Sequence, residues 1–288
     1  MMTKPLFGKL YVVATPIGHL DDMTFRAVDT LKQADLVAAE DTRHSKKLLS
    51  HFNISTRLVS CHEHNESQKI PYFISRLKEG MNIALISDAG TPCISDPGYA
   101  LVSAAANAGV DVVPIPGCSA AVAGLSVSGL PTDSFLFIGF LPKKQKKRLQ
   151  ALERIKDQAA TLIIYESPKR IKKLISEIIS AFGDRTACLA REITKRHEEF
   201  IRGTLSDLLA RLDAKPQVKG EITLFIDGCV SDNRLDANQL EAIVIEKMST
   251  SRNLSTADLT REICQEFKIR KKDVYNLILR HKSGKIVK

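Results

Sequence analysis

At 288 residues, 44% of them apolar, the chain is long enough for two or three domains with ordinary cores. No apolar run approaches the ~20 residues of a membrane span, and Met1 to Phe7 leads into a strand-like run rather than a secretory leader. Six cysteines without a C-x-x-C pair point to reduced thiols in a cytoplasm rather than a disulfide framework or a zinc site.

The formal charge of +9 is unevenly placed. Lys143, Lys144, Lys146, Lys147 and Arg148 form one run without an acid, and residues 234–288 hold 12 Lys/Arg against 7 Asp/Glu. Two basic patches on a near-neutral body suit a polyanionic partner; a solvated basic face is the plainer alternative.

Leu10 to Ala14 reads as a first buried strand, followed by a loop, Thr15-Pro16-Ile17-Gly18-His19, that is not a G-x-G-x-x-G. Thr24 to Gln33 has helical spacing, Asp35 to Ala39 is the next strand, and Glu40-Asp41-Thr42-Arg43 lies at its carboxyl end. A helix over Lys46 to Phe52 and a strand over Arg57 to Ser60 follow, and Ile70 to Lys78 is a helix with Gly80 as its cap. Ile83 to Ile86 then runs into Ser87-Asp88-Ala89-Gly90-Thr91-Pro92-Cys93-Ile94-Ser95-Asp96-Pro97-Gly98 before a helix from Tyr99 to Ala108. A plain strand-to-helix turn takes about 2–6 residues. This one is about twice as long and crowded with polar groups, so it reads either as a ligand loop or as a proline-stiffened, helix-capping turn.

Asp111 to Ile115 is a strand ending in Pro116-Gly117, and a small-residue helix, Ala120 to Val127, starts after Ser119, a good N-cap. Such a helix admits either a ligand at its amino end or close packing of a neighbour. The α/β alternation restarts with strands at Phe135–Phe140, Thr161–Tyr165, Thr186–Ala190 and Gly220–Ile226 and helices at 145–155, 171–182 and 205–212. Arg191 to Glu199 reads as a charged loop. From about Ser231 only helices are predicted, with Ser255 and Asp258 as a capping pair and Arg270, Lys271 and Lys272 before the last helix. The predicted organisation is an α/β domain over 1–115, a second over 116–230, and a helical, helix-turn-helix-like module over 231–288.

Seven segments in order resemble the tetrapyrrole methylase superfamily, and within it the branch acting on bacterial ribosomal RNA. They are Leu10 to Gly18, Ala38 to Arg43, Ser87 to Gly98, Pro116 to Ala120, Tyr165-Glu166-Ser167, Ala190 to Lys195 and Lys219-Gly220-Glu221. The resemblance implies a homodimeric enzyme of two α/β domains, with S-adenosylmethionine in the cleft between them. It implies 2′-O-methylation of a cytidine ribose in the decoding region of 16S rRNA or the small ribosomal subunit. By the same resemblance Pro16, Asp88, Gly90, Thr91, Ile94, Ser119, Ala120, Glu166 and Ser167 would touch the cofactor. Gly90-Thr91-Pro92 stands where tetrapyrrole-methylating relatives carry Gly-Asp-Pro, which argues against a porphyrin-type substrate.

A ribose hydroxyl is a poor nucleophile and needs help losing its proton. Asp88 and Asp96 are the first candidates for that role, with Asp88 closer to the cofactor side and Asp96 to the substrate side. Glu192 and Lys195 follow, with Glu40 and Asp41. Arg43, Arg191, Lys143, Lys144, Lys146, Lys147, Arg148, Arg270, Lys271 and Lys272 are the candidates for phosphates. No metal site is expected. The competing readings are a small-molecule, tetrapyrrole-like methyltransferase and a non-catalytic ribosome-binding protein.

Overall fold

The computed structural model describes residues 7–229, 237–250, 254–267 and 271–282. The chain divides into two compact units. One joins Met1–Glu153 to Thr161–Asp227, and the other joins Arg154–Ala160 to Gly228–Lys288.

The first unit contains two five-stranded sheets. Strands β1 (Lys9–Val13), β2 (Leu36–Ala39), β3 (Arg57–Ser60), β4 (Ile83–Ile86) and β5 (Asp111–Ile115) form a parallel sheet in the order β3-β2-β4-β1-β5. Its central strands are apolar runs because both faces are covered. In β4, Ala84 and Ile86 join one core cluster with Ala27 and Leu31 of α1 (Phe25–Gln33). Ile83 and Leu85 join another with Phe73 and Leu77 of α3 (Glu66–Lys78) and Leu101 and Ala105 of α4 (Tyr99–Asn107). The chain thus leaves β1 for one face and β4 for the other, although the two strands are neighbours. Open α/β sheets bind ligands beyond the carboxyl ends at such a switch point. Between β2 and β3 lies α2 (Thr42–His51), which begins four residues earlier than its apolar spacing indicates because Asp41 caps it through the Arg43 N–H.

The second sheet has the order β6-β7-β10-β8-β9. Strands β6 (Phe135–Phe140) and β7 (Thr161–Glu166) are parallel, while β8 (Thr186–Arg191), β9 (Glu199–Thr204) and β10 (Ile222–Ile226) pair antiparallel. The sequence reading leaves residues 200–204 unassigned; the structure places there an edge strand, β9, which begins where the charged loop ends. Charged residues blunt an edge strand against unwanted pairing and also hide it from pattern reading. Helix α5 (Ala120–Ser128) packs against Ile163, Cys188, Ala190 and Phe225. A Cβ on Gly124 would lie 2.4 Å from the Phe225 ring, so the small residues of α5 do serve close packing. Helices α6 (Gln145–Ile155), α7 (Ile171–Phe182) and α8 (Leu205–Asp213) complete the elements, with α8 opened by a reciprocal Thr204–Asp207 capping box.

In the second unit, α9 (Ala237–Thr250), α10 (Thr256–Phe267) and α11 (Lys271–Lys282) pack around Val244, Leu259, Ile263, Val274 and Ile278. Ser255 caps α10 by accepting the Asp258 N–H at 3.1 Å. Arg270 and the side chain of Lys272 lie outside the described residues.

Candidate functional site

The loops leaving β1 and β4 are tied to each other. The Thr15 N–H donates to the Gly90 carbonyl at 2.9 Å, and the Gly90 N–H returns a bond to the Thr15 carbonyl at 3.0 Å. Gly90 has φ +80°, a backbone form that other residues adopt only at a cost. Cys93 at φ +71° and Ser95 at φ +66° bear that cost in the same loop, as strained backbone at working sites often does. The Thr91 hydroxyl donates to the Cys118 carbonyl at 3.0 Å and so fixes the loop to the start of α5.

The second sheet contributes the opposite side. Ser119 occupies the N-cap of α5 but its hydroxyl makes no capping bond, which leaves that polar group facing the cleft. The Ala121 N–H instead donates to the Tyr165 hydroxyl at 3.2 Å. After β8 the chain turns through Glu192 at φ +53° and Thr194 at φ +62°. This turn meets the loop from β1, where the His19 N–H donates to Thr194 Oγ1 at 3.1 Å. Gly18 permits the approach, since a Cβ there would sit 2.9 Å from the Ile193 carbonyl oxygen.

Between these loops lies a cavity of about 340 Å³, within the range of small-molecule sites. The first sheet's loops supply Ile17, Ala89, Thr91, Ile94 and Asp96, and the start of α5 supplies Ser119 and Ala120. Phe140, Tyr165 to Pro168, Ile193 and Gly220 to Thr223 close the other side. Three acidic residues line it, Asp96, Glu166 and Glu221, the last two paired with Arg170 and Lys195, and among the described residues no Lys, Arg or His does. Such a cavity suits a cationic ligand with apolar or aromatic parts.

Asp96 is the perturbed acid of the cavity. Burial pushes it up to about 6, and the nearby charges of Glu40 and Asp88 push in the same direction against a bond from Ser87. Burial also raises Glu40, in part against the Asp88 N–H that it accepts. Glu192 goes the other way: burial pushes it up, but the Glu221 N–H and Lys195 outweigh that and hold it below the usual carboxylate range. Lys195 bridges Glu192 at 3.1 Å and Glu221 at 3.0 Å.

Of the residues expected at the site, the cavity brings together Thr91, Ile94, Asp96, Ser119, Ala120, Glu166 and Ser167. Pro16, Asp88, Gly90, Glu192 and Lys195 are not on its wall. Asp88 accepts the Asp41 N–H at 3.2 Å and so braces the loop from behind. Glu166 lies on the cavity wall with its carboxylate committed to neighbouring groups. Tyr165 shares the α5 face with Ile163, so strand alternation turns Glu166 to the other face. Its fully buried carboxylate accepts Arg170 Nη2 and the Ser167 N–H, each at 2.6 Å.

The basic residues divide as well. Lys143, Lys144, Lys146, Lys147 and Lys271 are exposed. Arg148 corrects the expectation: it is buried and pairs with Glu177 through Nε at 2.6 Å and Nη2 at 2.8 Å. Arg191 is half-buried and occupied by Glu199 at 2.9 Å and the Lys219 carbonyl at 3.2 Å. Arg43 is exposed and folds back on Asp41. Phe140, Ile222 and Thr223 line the cavity without having been singled out from sequence, and Ile17, Tyr165, Ile193 and Glu221 lie in the resembling segments but were not named for the site. Their common signal is position, at or next to the ends of strands.

Residues 9–209 match the family described as Tetrapyrrole (Corrin/Porphyrin) Methylases. The chain is 46% identical over 273 residues to "Ribosomal RNA small subunit methyltransferase I" of Halalkalibacterium halodurans, covering 94% of both chains. It is 42% identical to the protein of that name from Synechocystis sp., covering 94% of this chain and 98% of the other. Among solved structures it resembles uroporphyrin-III C-methyltransferase from Thermus thermophilus in complex with S-adenosyl homocysteine. That likeness has a TM-score of 0.54 at 17% identity, over 76% of this chain and 97% of the other, and speaks for the fold. With its parallel first sheet, mixed second sheet and shared cleft, the chain belongs to the tetrapyrrole methylase family.

Proposed function

We propose that the protein is an S-adenosylmethionine-dependent methyltransferase acting on the 2′-hydroxyl of a cytidine ribose in the decoding region of 16S rRNA. The observation that carries this reading is the cavity with acidic residues and no cation in its described lining, one of those acids, Asp96, being raised to about 6. The names of the relatives support an RNA substrate.

The residues present fit the cofactor. S-adenosylmethionine supplies an electrophilic methyl group on a sulfonium cation. Asp96 favours a positive charge in the cavity, Glu221 being paired with Lys195, and Ile17, Ile94 and Ile193 offer apolar surface to an adenosine. Ala89 and Ala120 keep their walls thin. Thr91 and Ser119 supply hydroxyls.

Asp96 is the group that takes the proton of the attacking hydroxyl. At about 6 it is mostly ionised at neutral pH, yet a stronger base than an ordinary carboxylate. Asp88 and Glu40 do not line the cavity and act through Asp96 as positioning groups. Lys195 and Glu192 hold Glu221 and the β8 turn. The enzyme is further read as a cytoplasmic homodimer. Exposed Phe25, Tyr99 and Val122 support the dimer, and six cysteines without a C-x-x-C pair support the compartment. No helix of the described residues is long and apolar enough to cross a membrane.

Incubating the protein with small ribosomal subunits and donor labelled in the methyl group, then mapping the label, tests the reading. Label on one cytidine ribose of 16S rRNA is expected. Label on a base, or none, would reject it. With Asp96→Ala, transfer should fall far more than donor affinity does.

A further inference from the structure

Strand β6 carries one residue too many for its partner. Phe135, Leu136 and Phe137 pair in step with Thr161, Leu162 and Ile163, but Gly139 and Phe140 pair with Ile164 and Tyr165, so Ile138 is extra. In a regular strand Phe137 and Phe140, three residues apart, would face opposite sides of the sheet. The bulge turns Phe140 onto the side of Phe137, and both rings meet Tyr165 edge-on, at centroid distances of 5.0 and 5.7 Å. Gly139, at φ +67°, allows the bulge. A Cβ there would lie 2.7 Å from Ser95 Oγ, so the glycine also admits the β4–α4 loop. Bulges gather next to active sites, where they re-aim a side chain.

The side chain that this bulge aims is unusual. Phe140 lines the cavity that also holds Asp96, yet it remains 56% exposed. Tyr165 meets it in a T-shaped contact at an interplanar angle of 64°, and more than half of the Phe140 side chain stays open to solvent. Immediately after it come exposed Lys143, Lys144, Lys146 and Lys147. Arg148 fixes how they are presented. Its Nη1 donates to the carbonyls of Pro142 at 3.2 Å and Lys143 at 2.9 Å, while Glu177 holds the rest of its guanidinium. The turn after β6 is thereby held from inside and its lysines are left in solvent.

An open aromatic face beside a short row of cations matches the way proteins hold single-stranded nucleic acid, with the ring under a base and the cations on the phosphates. We propose that Phe140 is the stacking platform for the base of the nucleotide presented for methylation, with Lys143, Lys144, Lys146 and Lys147 on the flanking phosphates. This rests on the reading of the chain as an rRNA ribose methyltransferase. Stacking fixes the nucleotide without reading its edge, so it positions the ribose in the cavity shared with Asp96.

The test uses Phe140→Ala, Phe140→Leu and Phe140→Trp in the full chain. Three quantities are measured: KM for small ribosomal subunits at saturating donor, donor affinity by calorimetry, and affinity for a cytidine-containing single-stranded RNA oligonucleotide by fluorescence anisotropy. The Ala and Leu variants should weaken both RNA measures by roughly tenfold or more, the range expected for one stacked base, with donor affinity within about twofold. Trp should restore most of the loss. Leu keeps apolar bulk without a π face and preserves the test if Ala perturbs folding. RNA measures that stay unchanged, a Leu variant as good as the wild type, or donor affinity falling in step would overturn the proposal; the last result would place the donor's adenine on the ring. If the wild type transfers no methyl group to the subunits, the substrate reading itself fails, and the oligonucleotide measurement shows separately whether Phe140 stacks on RNA.

Discussion

The carboxylate of Glu40 accepts the backbone N–H of Asp88 at 3.4 Å, and Asp88 accepts the N–H of Asp41 at 3.2 Å. These two bonds lock the carboxyl ends of β2 and β4 in register. They also gather Glu40 and Asp88 close enough to act on Asp96 in the cavity. Both Glu40 and Asp96 are raised above the usual carboxylate range. Burial supplies most of the upward push on Asp96 and Glu40 supplies the next part, while the Ser87 hydroxyl opposes it.

Methyl transfer should therefore fall as pH drops through about 6, where Asp96 becomes protonated. Glu40→Gln keeps an oxygen acceptor for the Asp88 N–H but removes a charge, so the acidic limb should move to lower pH. Asp88 still faces Asp96 in that variant, and a partial shift is expected. The check is kcat/KM between pH 5 and 8. A limb that stays in place would mean that Glu40 does not tune Asp96.

The same groups make the site costly to fold. Asp96 is raised in the folded state to about 6 from an ordinary 3.8. Between those values the folded chain binds more protons than the unfolded one, so stability falls as pH rises from about 4 to about 6. Asp96→Asn removes this cost. With solvent screening of a half-buried group allowed for, the gain at pH 7 is of order 1 kcal/mol, or roughly 2–4 °C in Tm. At pH 4 the gain should vanish. Equal melting temperatures at pH 7 would show that Asp96 is not strained by its neighbours.

The parts of this molecule that were legible in the sequence are those whose pattern is set by burial. Ile83 to Ile86 is buried on both faces and reads as a strand without ambiguity, and the polar loop after it is too long for a plain turn. What was hidden depends on pairing. Strand β9 is a charged edge, and the extra residue at Ile138 shows only against its partner strand. Arg148 sits in a run of lysines, and only Glu177, 29 residues later, turns it inward. Glu166 was expected to touch the cofactor; it lies on the cavity wall, but sequence does not show that its carboxylate is taken by Arg170.

Arg148 is therefore a structural residue, and removing it should show this. Its side chain and that of Glu177 are 6% and 10% exposed. Arg148→Met leaves a buried carboxylate without its partner, a loss of about 3–5 kcal/mol. The Pro142 and Lys143 carbonyls belong to exposed residues, so water can replace their bonds. Adding Glu177→Leu should recover much of the loss. Urea unfolding of the two variants measures both effects. A single variant as stable as the wild type would contradict the pairing.

The four lysines and Arg148 should separate cleanly in salt dependence. Each exposed lysine that meets a phosphate releases counterions, and log K falls with log salt by about 0.7 per contact for single strands. Replacing Lys143, Lys144, Lys146 and Lys147 together by Ala should flatten the slope of RNA binding by up to about 3, and single changes by less than about 1 each. The Arg148→Met/Glu177→Leu pair should leave the slope unchanged, because that guanidinium is already committed to Glu177 and the turn. Adjacent positions in one run of the sequence would then differ in kind: four set the affinity for a polyanion, and the fifth holds the turn that presents them. A slope that flattens with the buried pair but not with the lysines would reverse that assignment and move the RNA path away from the mouth of the cavity.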